Sequence, residues 1–300
     1  MSDVAITDNS GRVLFKQPTK ELPVALFKDD LEQLDVPWHW QDAFEIGLVT
    51  EGEVLLSVES ERFILRTGDG FFVNAGALNA CCQNPESEGA CVIKSVVFEP
   101  GIVDSAEDNI FYDHYIAPII TNNALKGLVL TEETPWHKEI LRLMINCWDS
   151  CLRSDEAIDS GVRDIISQIV FLLSAHSHRE IRPLSAKEAR DSERIRMMLS
   201  FIDEHYRDDL NVAALSESAE VSESEAMRCF HNMLGTTPIQ YLKSYRIRKA
   251  AELLKVSEEK IVDIAIDCGF QDMSYFAKTF REAKGITPTE YREKFKNPAK

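Results

Sequence analysis

The chain has 300 residues, 44% of them hydrophobic, and carries a formal net charge of −17. Such a length and apolar content suit about two globular domains. So acidic a chain is excluded from general, sequence-blind affinity for nucleic acid.

The first ten residues, MSDVAITDNS, lack the basic start and apolar run of a signal peptide. The longest apolar stretch, around Ile169 to Ala175, is too short to span a bilayer. No membrane partner and a cytoplasmic location are therefore expected. The seven cysteines are odd in number and include no CxxC pair, which reads as reduced thiols and not a disulfide frame.

From Pro23 to Pro100 short apolar runs such as EIGLVTEGEVLLSV, RFILRTGDGFFV and ACVIKSVVF alternate with Glu-Gly, Thr-Gly-Asp-Gly and Asn-Pro turns. Closely spaced strands of this kind predict a small antiparallel barrel or jelly roll. WHWQDAFEIGLVTEG carries His39, Gln41, Glu45 and Gly52, and GDGFFVNAGALNACCQ carries Gly76, Asn79 and Gln83. In spacing these two stretches resemble the paired motifs of a cupin. Gln41 stands where that resemblance implies a second histidine, Asn79 where it implies a third, and Gln83 where it implies an asparagine. His39 and Glu45 alone are too few to hold a transition metal, so neither a metal nor any other cofactor is expected, and no enzymatic activity. The remaining set, Trp38, His39, Trp40, Gln41, Glu45 and Asn79, suits a small effector. Only Lys28, Arg62, Arg66 and Lys94 are basic in this section, which favours a neutral, sugar-like molecule over an anion. The alternative is a cupin-type sugar isomerase or dioxygenase with a helical appendage.

From Pro135 to Ser177 the period turns helical. Ile140, Leu141, Leu143, Met144, Cys147, Trp148 and Cys151 make one stripe, and Val162, Ile165, Ile166, Ile169, Val170, Leu172 and Leu173 another. Two antiparallel helices follow, which either cover the barrel or form a homodimer interface. The polar run Ser177 to Arg194 reads as a linker.

The last hundred residues hold a repeat. GTTPIQYL (Gly235 to Leu242) and GITPTEYR (Gly285 to Arg292) match at Gly, Thr, Pro and Tyr, and Phe230 and Phe280 precede them at the same offset. Each phrase reads as the end of one helix and the capped start of the next. Gly takes the left-handed end, Thr the N-cap and Pro the first turn, and Gln240 or Glu290 closes a capping box. Upstream, Ala265 and Gly269 fit a helix-turn-helix. Ser216 and Glu220 hold the corresponding places in the first copy, where Glu220 suits a left-handed turn poorly.

The text from Met197 to Phe295, above all GTTPIQYLKSYRIRKAAELL and IVDIAIDCGFQDMSYFAKTFREAKGITPTEYR, resembles the DNA-binding domain of the AraC/XylS family. The resemblance implies two helix-turn-helix units joined by a long helix, each placing its second helix in the major groove of double-stranded DNA. It also implies contact with RNA polymerase. Helix geometry turns Ser224, Met227 and Arg228 outward on the first recognition helix, and Met273, Ser274 and Lys278 on the second. Lys243, Arg246, Arg248 and Lys249 of the joining helix read as solvated charges, with Arg246 the candidate phosphate contact. Glu223 and Glu225 bring negative charge beside Ser224, which keeps a protein–protein adaptor open as a further alternative. Residues 222–300 carry a net +3 and the rest of the chain −20.

The expectation is thus a two-domain α+β chain. Residues 1–105 form a cupin-like antiparallel β-barrel that binds an effector. Residues 106–178 form flanking helices for dimerisation, and 179–194 a linker. Residues 195–300 form an all-α double helix-turn-helix domain. Its expected function is a small-molecule-responsive transcription regulator, which the resemblance implies is an activator.

Overall fold

A computed structural model describes residues 6–7, 13–14, 24–32, 35–103, 110–153, 160–177 and 185–296. The chain divides into two compact units, Met1–Leu184 and Ser185–Lys300.

The first unit is built on two antiparallel sheets. A short pair, β1 (Ile6–Thr7) and β2 (Val13–Leu14), precedes them. The remaining strands are β3 (Val24–Asp30), β4 (Val36–His39), β5 (Phe44–Glu51), β6 (Glu53–Val58), β7 (Glu61–Arg66), β8 (Gly70–Val73), β9 (Asn79–Gln83), β10 (Val92–Phe98) and β11 (Gly127–Leu130). One sheet runs β11-β8-β5-β10-β3 and the other β4-β9-β6-β7. The expected barrel is therefore two open sheets, because the edge strands of one do not hydrogen-bond to the edges of the other among the described residues.

Side chains alternate across each strand, so the five-stranded sheet has two apolar faces. Phe71, Val73 and Ile93 meet Val54, Leu56, Val58, Leu65 and Cys81 of the other sheet. Phe44, Ile46, Phe72, Val96 and Phe98 point the other way and meet a helical layer. That layer is α1 (Ala117–Thr121), α2 (Pro135–Arg153) and α3 (Ser160–Ser177). Both predicted helical stripes enter this core, with Ile140, Cys147, Ile166, Val170 and Leu173 essentially inaccessible. The two helices thus cover the sheet. Ile145, Leu152 and Phe171 remain exposed on their outer side.

Among its described residues the second unit is helical: α4 (Ala186–His205), α5 (Val212–Ser218), α6 (Glu223–Leu234), α7 (Pro238–Val256), α8 (Ile261–Asp267), α9 (Met273–Lys284) and α10 (Pro288–Lys296). The polar stretch read as a linker, 179–194, is helical from Ala186 onward; residues 179–184 lie outside the described residues. A capping box between Ser185 and Glu188 starts α4, and charged side chains on its solvent side concealed the helix in the sequence.

Both copies of the repeated phrase fold as anticipated. Thr237 and Gln240 close one capping box, and Thr287 and Glu290 the other. Gly235 and Gly285 end α6 and α9 in the left-handed region. The two turns differ. After α5, Val221 N–H donates to the Ser216 carbonyl at 3.0 Å; after α8, Phe270 N–H donates to the Ala265 carbonyl at 2.9 Å. Ser222 then caps α6 directly, whereas Gln271 intervenes before Asp272 caps α9. The left-handed place is filled by Glu220 at φ 53° in the first turn and Gly269 at φ 81° in the second. A Cβ at 269 would lie 2.7 Å from the Tyr206 carbonyl oxygen and 2.9 Å from Arg246 Nε.

Two substitutions separate strain from space. Glu220→Gly relieves a left-handed non-glycine residue and is expected to stabilise the second unit by about 1 kcal/mol. Gly269→Ala adds both strain and a clash and is expected to cost about 2 kcal/mol or more. Urea unfolding of the full chain, followed by the helical signal, measures both.

Candidate nucleic-acid interface and effector site

In α6, Ala226, Cys229, Phe230 and Leu234 are buried; in α9, Phe276, Thr279 and Phe280 are. The opposite faces are open. Ser224, Met227 and Arg228 are exposed on α6, and Ser274 and Lys278 on α9. The side chains of Arg228 and Lys278 are 62% and 75% accessible, with loose pairings to Glu225 at 3.5 Å and Glu282 at 4.0 Å. Flexible cations so displayed can reach base edges or phosphates. His231 and Arg281 lie on the same open faces, one turn further along. Their i+3 spacing from Arg228 and Lys278 is the signal that finds them. Gln271, exposed in the longer turn, is found by the repeat offset, which is 49 between Ser216 and Ala265 and 50 between Phe230 and Phe280.

Two expected contact residues are placed otherwise. Met273 is half-buried against the core of α7 to α10. It precedes Phe276 by three positions and so falls on the flank of the buried face. Arg246 donates from Nε to the Tyr206 carbonyl at 2.7 Å and from Nη2 to the Asp208 carbonyl at 2.6 Å. Its guanidinium braces the end of α4 and the turn at Gly269. Two more cations of α7 depart from the solvated reading. Arg248 and Lys249 are only 11% and 10% accessible, and both pair with Glu252. Arg248 also lies 4.6 Å over the Tyr245 ring. The Tyr245 hydroxyl donates to Asp203, and burial followed by that carboxylate pushes its pKa up. The joining helix is therefore held on its polar side as well as its apolar one.

In the first unit four of the six expected effector residues form two pairs. His39 of β4 stands opposite Asn79 of β9 in register, and Asn79 Nδ2 donates to the His39 carbonyl at 3.4 Å. Glu45 stands opposite Val73, on the face turned to the second sheet, and its carboxylate accepts from Gln41 Nε2 at 3.2 Å. Gly76 N–H, from the second motif, donates to the Gln41 carbonyl at 2.8 Å. His39 Nδ1 lies 2.8 Å from the Pro37 carbonyl, where the protonated nitrogen donates. Glu45 and Asn79 are 7% and 3% exposed. His39 with Asn79 and Gln41 with Glu45 thus form two polar pairs in this unit, whose imidazole, amide and carboxylate groups can donate to and accept from hydroxyls. Trp38 is part of neither. Adjacent to His39 on the strand, it points to the outer face and lies under the Arg62 guanidinium at 5.0 Å. Trp40 follows β4 and is half-buried.

Burial raises the cysteine thiols of this unit: Cys81 well up, and Cys82 to about 11. No described group of three or more His, Cys, Asp or Glu side chains converges as a metal ion requires. No described helix is long and apolar enough to cross a membrane.

A β-sheet unit with a polar interior site, followed by two helix-turn-helix units on one strut, defines a DNA-binding transcription regulator with a ligand-binding domain. Residues 21–189 match the family described as AraC-like ligand binding domain, and residues 215–294 that described as Helix-turn-helix domain. The chain belongs to the AraC family of transcriptional regulators. It is 28% identical over 297 residues to the HTH-type transcriptional regulator YdeC of Bacillus subtilis (strain 168), covering 96% of this chain and 98% of that one. It is 30% identical over 271 residues to the HTH-type transcriptional activator RhaS of Shigella sonnei (strain Ss046), covering 88% and 90%. Among solved structures, unsaturated fatty acid bound ToxT from Vibrio cholerae strain SCE256 aligns with a TM-score of 0.49 at 14% identity, over 95% of this chain and all of that one.

The bonds of Arg246 make it a brace of the fold. Arg246→Ala is expected to destabilise the second unit by about 2 kcal/mol or more, since two carbonyls lose a charged donor. Arg246→Lys is expected to recover only part, because a single ammonium cannot span both acceptors. Thermal unfolding of the three proteins measures this.

Proposed function

We propose that this regulator acts as an activator, as a homodimer in the cytoplasm, and answers to a small neutral polyol or sugar-like molecule. The exposure of Arg228 and Lys278 on the two recognition helices carries the DNA part of this reading. Ser224, Met227 and Ser274 flank them and complete the base-reading set in double-stranded DNA. The effector part rests on His39, Gln41, Glu45 and Asn79, with Trp40 beside them. That group offers amides and a carboxylate to hydroxyls and no strong cation to an anion. Ligand binding then shifts the balance between two presentations of the DNA-binding unit by its differential affinity for them.

The names of relatives such as RhaS support activation, which acts through RNA polymerase. The exposed Ile145, Leu152 and Phe171 on α2 and α3 support pairing of two chains. A groove of about 320 Å³ lined by Glu139, Leu143, Ser167, Gln168, Phe171 and Leu172 lies on the same helices. The isomerase or dioxygenase alternative is not favoured, because Gln41 and Asn79 stand in place of metal-binding histidines.

Arg228→Ala and Lys278→Ala are each expected to weaken binding to a selected DNA duplex by about 1–3 kcal/mol. Unchanged affinity for both in a gel-shift titration would contradict the docking. His39→Ala and Glu45→Ala are expected to leave duplex affinity unchanged and to abolish the effector's influence on transcription from a reporter. Normal induction in both would contradict the assigned site.

A further inference from the structure

The first recognition helix carries an apparent defect. Glu225 sits in the opening turn of α6, where a bare carboxylate would repel DNA phosphates. It would also draw Arg228, three residues on, into an i, i+3 pair. The matching place in α9, at the repeat offset of 50, is the neutral and exposed Tyr275.

The structure supplies a partner. Arg194, midway along α4, places Nη1 2.7 Å from Glu225 Oε1, while Arg228 is held back at 3.5 Å from the same oxygen. Asp191, one turn earlier on α4, lies 3.6 Å from Arg194 Nη1. Arg194 and Glu225 are 27% and 31% accessible, so the pair is more sheltered than Arg228 at 62%.

A second observation shows which way Glu225 has turned. Ser222 and Glu225 have the spacing of a capping box, and Ser222 Oγ accepts from the Glu225 N–H at 3.3 Å. In α4, α7 and α10 the residue at this third position reaches back to the N-cap residue. In α6 the carboxylate instead lies on Arg194.

We propose that Arg194 is a positioning residue for DNA recognition, which neutralises Glu225 and thereby leaves Arg228 free to engage the duplex. The proposal rests on the DNA-docking reading above. It makes α4, the first helix of the C-terminal unit, a determinant of how strongly the first recognition helix binds. The second recognition helix has no acid at the corresponding position and needs no such guard.

The test uses the full chain and a duplex selected by the wild-type protein from a randomised pool. Arg194→Ala is expected to weaken binding about tenfold. Glu225→Gln is expected to stay within about twofold of wild type, and Arg194→Ala combined with Glu225→Gln to return to within about twofold of Glu225→Gln alone. Rescue by the second substitution distinguishes a charge mask from a packing role, because a misfolded α4 would stay defective. The proposal is overturned if Arg194→Ala binds like wild type, or if the double variant is as weak as Arg194→Ala. Lys278→Ala serves as the reference. If it weakens binding while Arg194→Ala does not, only the positioning role fails. If wild type selects no duplex, or Lys278→Ala and Arg228→Ala both bind unchanged, the docking itself fails and takes the proposal with it.

Discussion

The guanidinium of Arg246 joins three parts of the DNA-binding unit at one point. It takes the Tyr206 and Asp208 carbonyls at the end of α4 and presses on the turn at Gly269. Because Arg246 belongs to α7, the helix between the two helix-turn-helix units, this contact ties both units to one strut. Tyr245 adds a bond to Asp203 of α4 beside it. A helix held on several sides keeps its neighbours at a set separation, which two successive grips on a double helix require. Polar groups do the tying because a buried or half-buried cation must find acceptors, and carbonyls at a helix end are unpaired until something reaches them.

Charge is divided along the chain in a way that suits selectivity. The body carries a net −20 and the last 79 residues +3. The acidic body opposes indiscriminate attachment to phosphate, and in the proposed docking binding depends on the few cations displayed by α6 and α9. Within α6 the same tension appears on the scale of one turn, where Glu223 and Glu225 precede Arg228. Acidic residues at a helix start favour the helix dipole, and their charge must be masked or turned aside if DNA is to approach.

The β unit shows how a site changes its chemistry while keeping its frame. The strand pairing that sets His39 against Asn79 and Glu45 against Val73 is a backbone feature, indifferent to which side chains it brings together. With histidines at 41 and 79 such a frame would offer a metal several nitrogens. With Gln41 and Asn79 it offers amides, and the Gln41–Glu45 bond already organises them. Amide and carboxylate groups fixed by one another suit hydroxyls, whose donor and acceptor character adapts to both.

Much of this was legible from the residues. Glycine, threonine and proline at set offsets specify helix ends through local backbone chemistry, and the repeat, its capping boxes and its left-handed turns appear where the text puts them. The apolar stripes of α2 and α3, and the outward faces of α6 and α9, follow from helical period alone. What the period cannot decide is the fate of a long polar side chain. Arg246, Arg248 and Lys249 read as solvated because their charge suggests water, yet carbonyls distant in sequence receive Arg246, and packing leaves Arg248 and Lys249 nearly buried beside Glu252. Trp38 and His39 read as one site because they are adjacent, yet neighbours on a strand face opposite ways. Glu225 read as a liability until α4 brought Arg194 to it. Local conformation is determined by residues a few positions apart, so the sequence alone contains it; pairings across tens of residues depend on which elements pack together, and only the tertiary structure decides those.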